Sequence, residues 1–365
     1  MSQMFPVRKE IAAIKPYKPG KPVEEVKRSL GLRKVYKLAS NEIPLAPLYI
    51  KKAVIEELSS INRYPEAGCF YLRRTLSKKL GIAAGQMVFG NGSDELITLT
   101  LRAFVDRGDE VIIAYPTFLM YEIQAHVQGA RVVKVPLKNF HYSLSDIAAA
   151  VTPKTKVIFI ANPDNPTGTY VNHTAVSTFL SAIPRRVLVY FDEAYVEFAP
   201  ADFPRSQEFL NRRGNLIYAR TFSKAYGLAG LRVGYGVTTL QIATVLNTIR
   251  EPFNINRFAQ VAAVAALANK KFLRTVTALI RREKQYLYTQ LDALGVRFIE
   301  SATNFIFIDF GQDVSDLCAY LLKNGIIVRD LTDWGFKNFF RVTAGLRIEN
   351  KKFIALLASY LRHNP

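Results

Sequence analysis

Lys224 lies in Arg220-Thr221-Phe222-Ser223-Lys224-Ala225-Tyr226-Gly227-Leu228-Ala229-Gly230-Leu231-Arg232, directly after the apolar run Asn215–Ala219. A lysine at the mouth of a buried strand is desolvated, which lowers its pKa and frees an amine nucleophile. Thr221, Ser223 and Arg232 add hydroxyl and guanidinium donors suited to a phosphate. A lone Ser-Lys on a turn reads more simply as a solvated lysine, so the assignment needs companions elsewhere in the chain. Gly90-Asn91-Gly92-Ser93-Asp94-Glu95 follows the apolar Met87-Val88-Phe89 and precedes a helical pattern. Taken alone it is a helix cap, but backbone N–H groups at such a helix start also bind anions.

Three more strand ends carry compatible chemistry. Val111–Ala114 leads to Tyr115-Pro116-Thr117-Phe118, where Phe118 is either a core residue or a cover for a planar ring. Val157–Ala161 runs into Asn162-Pro163-Asp164-Asn165-Pro166-Thr167-Gly168, and Val187–Phe191 into Asp192-Glu193-Ala194-Tyr195. A carboxylate at the end of an apolar strand needs a cationic partner, and a protonated pyridine nitrogen is one. Tyr195 and Asn165 can both hydrogen-bond a phenolate oxygen on such a ring. An amine that condenses with an aldehyde, a phosphate cradle, a ring cover and a carboxylate together describe a site for pyridoxal 5′-phosphate (PLP).

The ordered set Asn91–Asp94, Pro116-Thr117-Phe118, Asn162–Gly168, Asp192–Tyr195 and Ser223-Lys224 through Arg232 resembles the fold-type I PLP-dependent aminotransferases. Lys37–Glu42, Asn62-Arg63-Tyr64-Pro65, Arg250–Asn254 and Gly325–Asp330 bring the resemblance closest to the histidinol-phosphate aminotransferase family. It extends from about Ile14 to the C-terminal helix. It implies an aspartate aminotransferase-like α/β fold, with a mostly parallel central sheet flanked by helices plus a smaller α/β domain. It also implies Lys224 as the lysine that carries PLP, Asp192 and Tyr195 as its catalytic companions, and Gly92, Ser93, Asp94, Phe118, Asn165, Thr221, Ser223 and Arg232 around the cofactor. Arg341, in Phe339–Gly345, matches the arginine that grips the substrate's anionic group. Arg329 and Tyr17 match further phosphate contacts, and Asn41 a substrate-side position. Tyr64 matches a residue that reaches the cofactor phosphate of the neighbouring subunit, implying a homodimer. The expected substrates are an amino donor and 2-oxoglutarate or glutamate.

Two departures bear on the substrate. Ile43 and Ala46 stand where this family has Asn and Gly in its Asn-Glu-Asn-Pro-Leu-Gly-Pro run. An apolar Ile43 beside the site would favour phenylalanine or tyrosine, which makes an aromatic amino-acid aminotransferase one alternative. A PLP decarboxylase of a phosphorylated amino acid is a more distant one.

The elements that must position these residues are legible in outline. With 365 residues, 49% of them hydrophobic, the chain can bury a large core. Apolar strands alternating with helical patterns predict a mainly parallel sheet. Residues 1–36 read as an N-terminal arm joined to part of the smaller domain, 37–270 as the large PLP-binding domain and 271–365 as the small domain. A helix is expected at Val23–Leu30. A long amphipathic one has Phe272, Val276, Leu279, Ile280, Leu287 and Leu291 on its core face and Arg281, Arg282 and Lys284 on a solvated face. Strands are expected at Phe305–Phe310 and Ile326–Val328, and a last helix from Asn350.

Global features narrow the function classes. Lys and Arg total 49 against 30 acidic residues, a net charge of +19, but no nucleic-acid-binding signature accompanies them. A basic surface that steers anionic substrates is the expected meaning, with no nucleic-acid partner. Cys69 and Cys318 are too few for a disulfide framework, and the four histidines are scattered, so no metal is expected. No apolar run suits a membrane span or a secretory signal, which points to the cytoplasm.

Overall fold

The computed structural model describes residues 7–364; residues 1–6 and 365, the outer ends of the expected arm and small domain, lie outside them. Its centre is a seven-stranded sheet. In spatial order the strands are Met87–Gly90, Gly234–Val237, Leu216–Thr221, Leu188–Asp192, Thr155–Ala161, Glu110–Tyr115 and Arg131–Pro136. Only Gly234–Val237 runs antiparallel to its neighbours; all the other pairings are parallel. The inner strands are apolar on both faces, as a sheet covered by helices on both sides requires. Their carboxyl ends form the crevice where open α/β sheets bind ligands. Asp192, Thr221 to Lys224, Phe118 and Asn165 all lie at or just beyond those ends.

A second hydrophobic core is built on an antiparallel sheet of Arg329–Asp330, Phe339–Thr343, Phe305–Asp309 and Arg297–Ile299. The long helix Lys270–Ala293 and the last helix Arg347–His363 cover it. Leu38, Ile43 and Leu45 also pack here, and Tyr36–Lys37 pairs with Ile326–Ile327, so the segment after Val23–Leu30 closes onto C-terminal elements.

Several local expectations are revised. The last helix begins at Arg347, three residues early, because Glu349 accepts a hydrogen bond from the Leu346 N–H at 2.7 Å and caps that start. The run Ile326–Val328 is not one strand. It pairs with Tyr36–Lys37 over two residues, then changes sheets at Val328 so that Arg329–Asp330 pairs with Phe340–Arg341. On the long helix, Glu283 falls within the apolar stripe and is fully buried, held by Arg347, Arg282 and Asn350. Lys284 is not fully solvated: it is half-buried and donates to the Ser301 carbonyl, and burial lowers its pKa to about 8. Helical periodicity located the stripe but could not reveal these polar partners, which come from distant segments.

Among the described residues no helix is long and apolar enough to cross a membrane, and no group of three or more His, Cys, Asp or Glu could hold a metal ion.

Candidate active site

A cavity of 360 Å³ opens between the two cores. Of the sequence-derived site residues, all but Gly92 and Tyr64 line it.

At the sheet end, Lys224 is partly buried, and the only hydrogen bond of its amine among the described residues is a long one, 3.4 Å, to the Ser40 carbonyl. Burial first, and the Arg341 charge second, lower its pKa to about 8. Its Nζ sits 5.6 Å from the centre of the Tyr195 ring. Burial raises the Asp192 carboxyl to about 6, against the lowering effect of a 2.8 Å hydrogen bond donated by the Tyr121 hydroxyl. The Ala194 N–H donates to the other Asp192 oxygen at 3.1 Å. Tyr121 went unnoticed in the sequence. Its signal was available: it falls three residues after Phe118, on the buried side of helix Leu119–Gln128, where a hydroxyl must find a partner. Its ring meets Phe118 edge-on at 5.6 Å and stacks on Phe159 at 4.9 Å, which fixes the wall behind Asp192.

The anion cradle is set by close packing. Gly92 has φ 78°, and a Cβ there would collide with the Arg232 guanidinium. A Cβ on Gly234 would approach the Ser93 nitrogen to 2.6 Å, so both glycines are required for the Ser93–Phe104 helix start to sit against this strand. Arg232 Nη1 donates to Ser223 Oγ at 3.2 Å and Nη2 to Asp94 at 3.2 Å; the Ser223 N–H donates to Thr221 Oγ1 at 3.1 Å. A helix N-terminus, two hydroxyls and an arginine thus converge on one point, as an anion site needs.

Asn41 and Tyr195 join the two halves. Asn41 is buried in left-handed backbone (φ 57°), with its N–H bonded to Thr343 Oγ1 and its carbonyl to Asn304 Nδ2. Its Nδ2 donates to the Tyr195 hydroxyl at 2.8 Å, leaving the phenolic proton free to donate into the cavity. Asn304 and Thr343 also escaped the sequence reading, since nothing local links them to Asn41.

Arg329 and Arg341 lie opposite each other as cross-strand neighbours, and both are buried. Arg341 donates to Asn165 Oδ1 and, at 2.9 Å, to the Ala39 carbonyl, which leaves the Asn165 amide NH₂ as a donor. Burial and the neighbouring Arg329 lower the Arg341 pKa to about 10. Arg329 does not pair with Asp330 at the surface; its Nη2 donates to the Lys18 carbonyl at 2.7 Å. Neither arginine makes an ion pair among the described residues, and the Nε of each has no partner. Like charges placed directly opposite are destabilising, so this arrangement calls for an anionic ligand.

Two expectations are met differently. Tyr64 is 78% exposed and stacks on Phe253 at 4.7 Å, away from the cavity of its own chain. Ile43 does not line the cavity: it packs into the second core, and its Cδ1 fills the space over Gly227. The apolar substrate pocket expected from Ile43 is therefore absent.

The Asp192 carboxyl held in an apolar wall, the partly buried amine of Lys224 and the cradle at Gly92 and Arg232 fit the ring nitrogen, aldehyde and phosphate of PLP in kind and number.

Comparison with known proteins agrees. The aminotransferase class I and II family profile matches residues 33–355. A histidinol-phosphate aminotransferase of Moorella thermoacetica is 45% identical over 97% of this chain and 92% of its own. The crystal structure of histidinol-phosphate aminotransferase from Sinorhizobium meliloti in complex with pyridoxal-5′-phosphate is 29% identical, with TM-score 0.91 and full coverage of both chains. A double mutant of Thermus thermophilus aspartate aminotransferase, 21% identical with TM-score 0.85 over 98% of this chain and 100% of its own, shares the fold. The chain belongs to the class I and II aminotransferases, within the histidinol-phosphate aminotransferase family.

Proposed function

We propose that the protein is a PLP-dependent aminotransferase interconverting L-histidinol phosphate and 2-oxoglutarate with imidazole-acetol phosphate and L-glutamate, a step of histidine biosynthesis. The observation that carries the substrate reading is the buried, acid-free pair Arg329 and Arg341 at the cavity end beyond Lys224. Arginine forks bind phosphate and carboxylate alike, so one site serves a phosphorylated donor and a dicarboxylate in turn. An aromatic amino acid gains nothing from a second buried guanidinium.

PLP would supply an aldehyde for the substrate amine and a ring that acidifies the substrate Cα–H. Thr221, Ser223, Arg232 and the N–H groups from Gly92 to Asp94 would hold its phosphate. Asp192, kept in place by Tyr121 and the Ala194 N–H, would keep its pyridine nitrogen protonated. Phe118 would cover the ring, and Tyr195 and Asn165 would donate to its phenolate oxygen. Lys224, as a neutral amine, moves the proton at the substrate Cα. Arg341, Arg329 and Tyr17 orient the anionic end, and Asn41 fixes the Tyr195 hydroxyl.

The working unit is a homodimer in which Tyr64 reaches the partner's cofactor phosphate. The exposed apolar side chains between Leu48 and Tyr71, including Ile55, Leu58, Ile61 and Phe70, support this reading. The two free cysteines fit the cytoplasm.

Arg329→Gln tests the substrate assignment: kcat/KM for L-histidinol phosphate is expected to fall about 100-fold, mainly through KM, as loss of a charged contact to phosphate implies. An unchanged KM overturns it. The lowered pKa of Lys224 gives a second expectation. Covalent uptake of PLP by cofactor-free enzyme needs the neutral amine, so its rate rises with pH through about 8, well below an ordinary lysine. Arg341→Gln removes a positive charge that disfavours the ammonium form, and moves this midpoint to higher pH. Stopped-flow absorbance at a series of pH values reads both; a midpoint near that of free lysine contradicts the burial argument.

A further inference from the structure

How Arg329 is held separates it from most buried arginines. Among the described residues no carboxylate pairs with it; instead its guanidinium carbon lies 4.7 Å from the centre of the Trp334 ring and 5.5 Å from that of Tyr17. A carboxylate partner would fix the arginine but neutralise it, competing with the substrate anion. Aromatic faces fix it and leave its charge available. Trp334 does not line the cavity. It is 1% exposed, on the short turn Thr332–Trp334, wedged among Phe307, Leu331, Phe336 and Phe339. Its indole N–H has no partner among the described residues, so the contacts the ring makes there are those of its face and edge.

The same turn also holds the N-terminal arm over the site. Trp334 meets Tyr17 edge-on at 6.4 Å, Asp333 pairs with Lys18 at 3.4 Å, and Arg329 bonds the Lys18 carbonyl. Arm, arginine and indole are therefore one packed unit: Arg329 cannot tilt without losing the arm, nor the arm lift without baring the indole and the guanidinium.

We propose that Trp334 is a positioning residue for substrate specificity. It aims Arg329 and Tyr17 at the substrate's distal phosphate without neutralising the charge, and couples phosphate binding to seating of the arm. The inference rests on the reading of Arg329 as a phosphate ligand.

The test compares L-histidinol phosphate with unphosphorylated L-histidinol on cofactor-loaded wild type, Trp334→Leu, Trp334→Phe and Arg329→Gln. Trp334→Leu is expected to raise KM for the phosphorylated substrate about tenfold while kcat and the slow reaction of L-histidinol change less than about twofold. Trp334→Phe, which keeps an aromatic face, recovers most of the loss. Equal losses on both substrates, or a Phe variant no better than Leu, mean that Trp334 is only core packing and overturn the proposal. If Arg329→Gln leaves the preference for the phosphorylated substrate intact, the phosphate-ligand reading itself fails, and the proposal with it. Trp334 is the chain's single tryptophan, so wild type supplies a measurement that needs no folded Trp334 variant. Inorganic phosphate titrated into the loaded enzyme is expected to change tryptophan emission with saturation, and Arg329→Gln to abolish the change. Emission that is flat up to saturating phosphate also overturns the coupling.

Discussion

Lys224→Ala is expected to lower turnover by at least about 10⁴-fold, the upper range for a single acid–base residue, because one amine serves two tasks. It attaches the cofactor and moves the proton at the substrate Cα. The other lysine on the cavity wall, Lys37, is tied to Glu42 at 3.0 Å, and the Tyr195 hydroxyl, its pKa pushed up to about 12, is a poor base. The cavity walls do not depend on the Lys224 side chain, whose only hydrogen bond among the described residues is the long one to Ser40. The variant should therefore fold and still bind PLP through the cradle, but reversibly. Borohydride reduction followed by peptide mass analysis checks this: wild type fixes the cofactor on the peptide containing Lys224, the variant on none. Cofactor fixed to another lysine, with activity retained, would overturn the assignment.

Asp192→Asn should cost about 10³-fold in kcat, the scale of removing one preorganised electrostatic partner from a dry site. Asparagine keeps the shape and can still accept from Tyr121, so the wall should stand. What it loses is the negative charge that holds a proton on the ring nitrogen. Burial already raises Asp192 to about 6, so the fold spends stability to keep this carboxylate in an apolar wall, as expected of a functional charge. The half-reactions with amino donor and with 2-oxoglutarate should slow together, while far-UV circular dichroism and Tm stay near wild type. A variant with normal half-reaction rates would show that Asp192 merely caps its strand.

The chemistry of this chain was more legible than its architecture, for physical reasons. Strand-end residues such as Asp192 and Lys224 are marked by an abrupt change from apolar to polar in a parallel sheet, and a local sequence window captures that change. Gly92 marks backbone approach in the same way, whereas the matching need for glycine at 234 is visible only in the structure. What stayed hidden were partners brought together by the chain's return. Tyr121 beneath Asp192, Asn304 and Thr343 around Asn41, and Glu283 within an apolar helix face each depend on a segment far away in sequence. The switch of sheets at Val328 belongs to the same class: Ile326–Val328 looks like one strand, yet its division is what brings Arg329 opposite Arg341. Ile43 shows the converse error, since adjacency in sequence to Asn41 suggested a pocket residue where the fold turns the side chain into the second core.

Single-turnover mixing of PLP-loaded enzyme with L-histidinol phosphate, and separately with L-phenylalanine, tests the substrate assignment most directly. Conversion of the cofactor to its amino form is followed by absorbance. The arginine pair predicts conversion with L-histidinol phosphate at least about 100-fold more efficient in kcat/KM, since only that donor engages both guanidinium groups. Equal or faster conversion with L-phenylalanine would contradict the account, leaving an aminotransferase whose paired arginines serve only the dicarboxylate half-reaction.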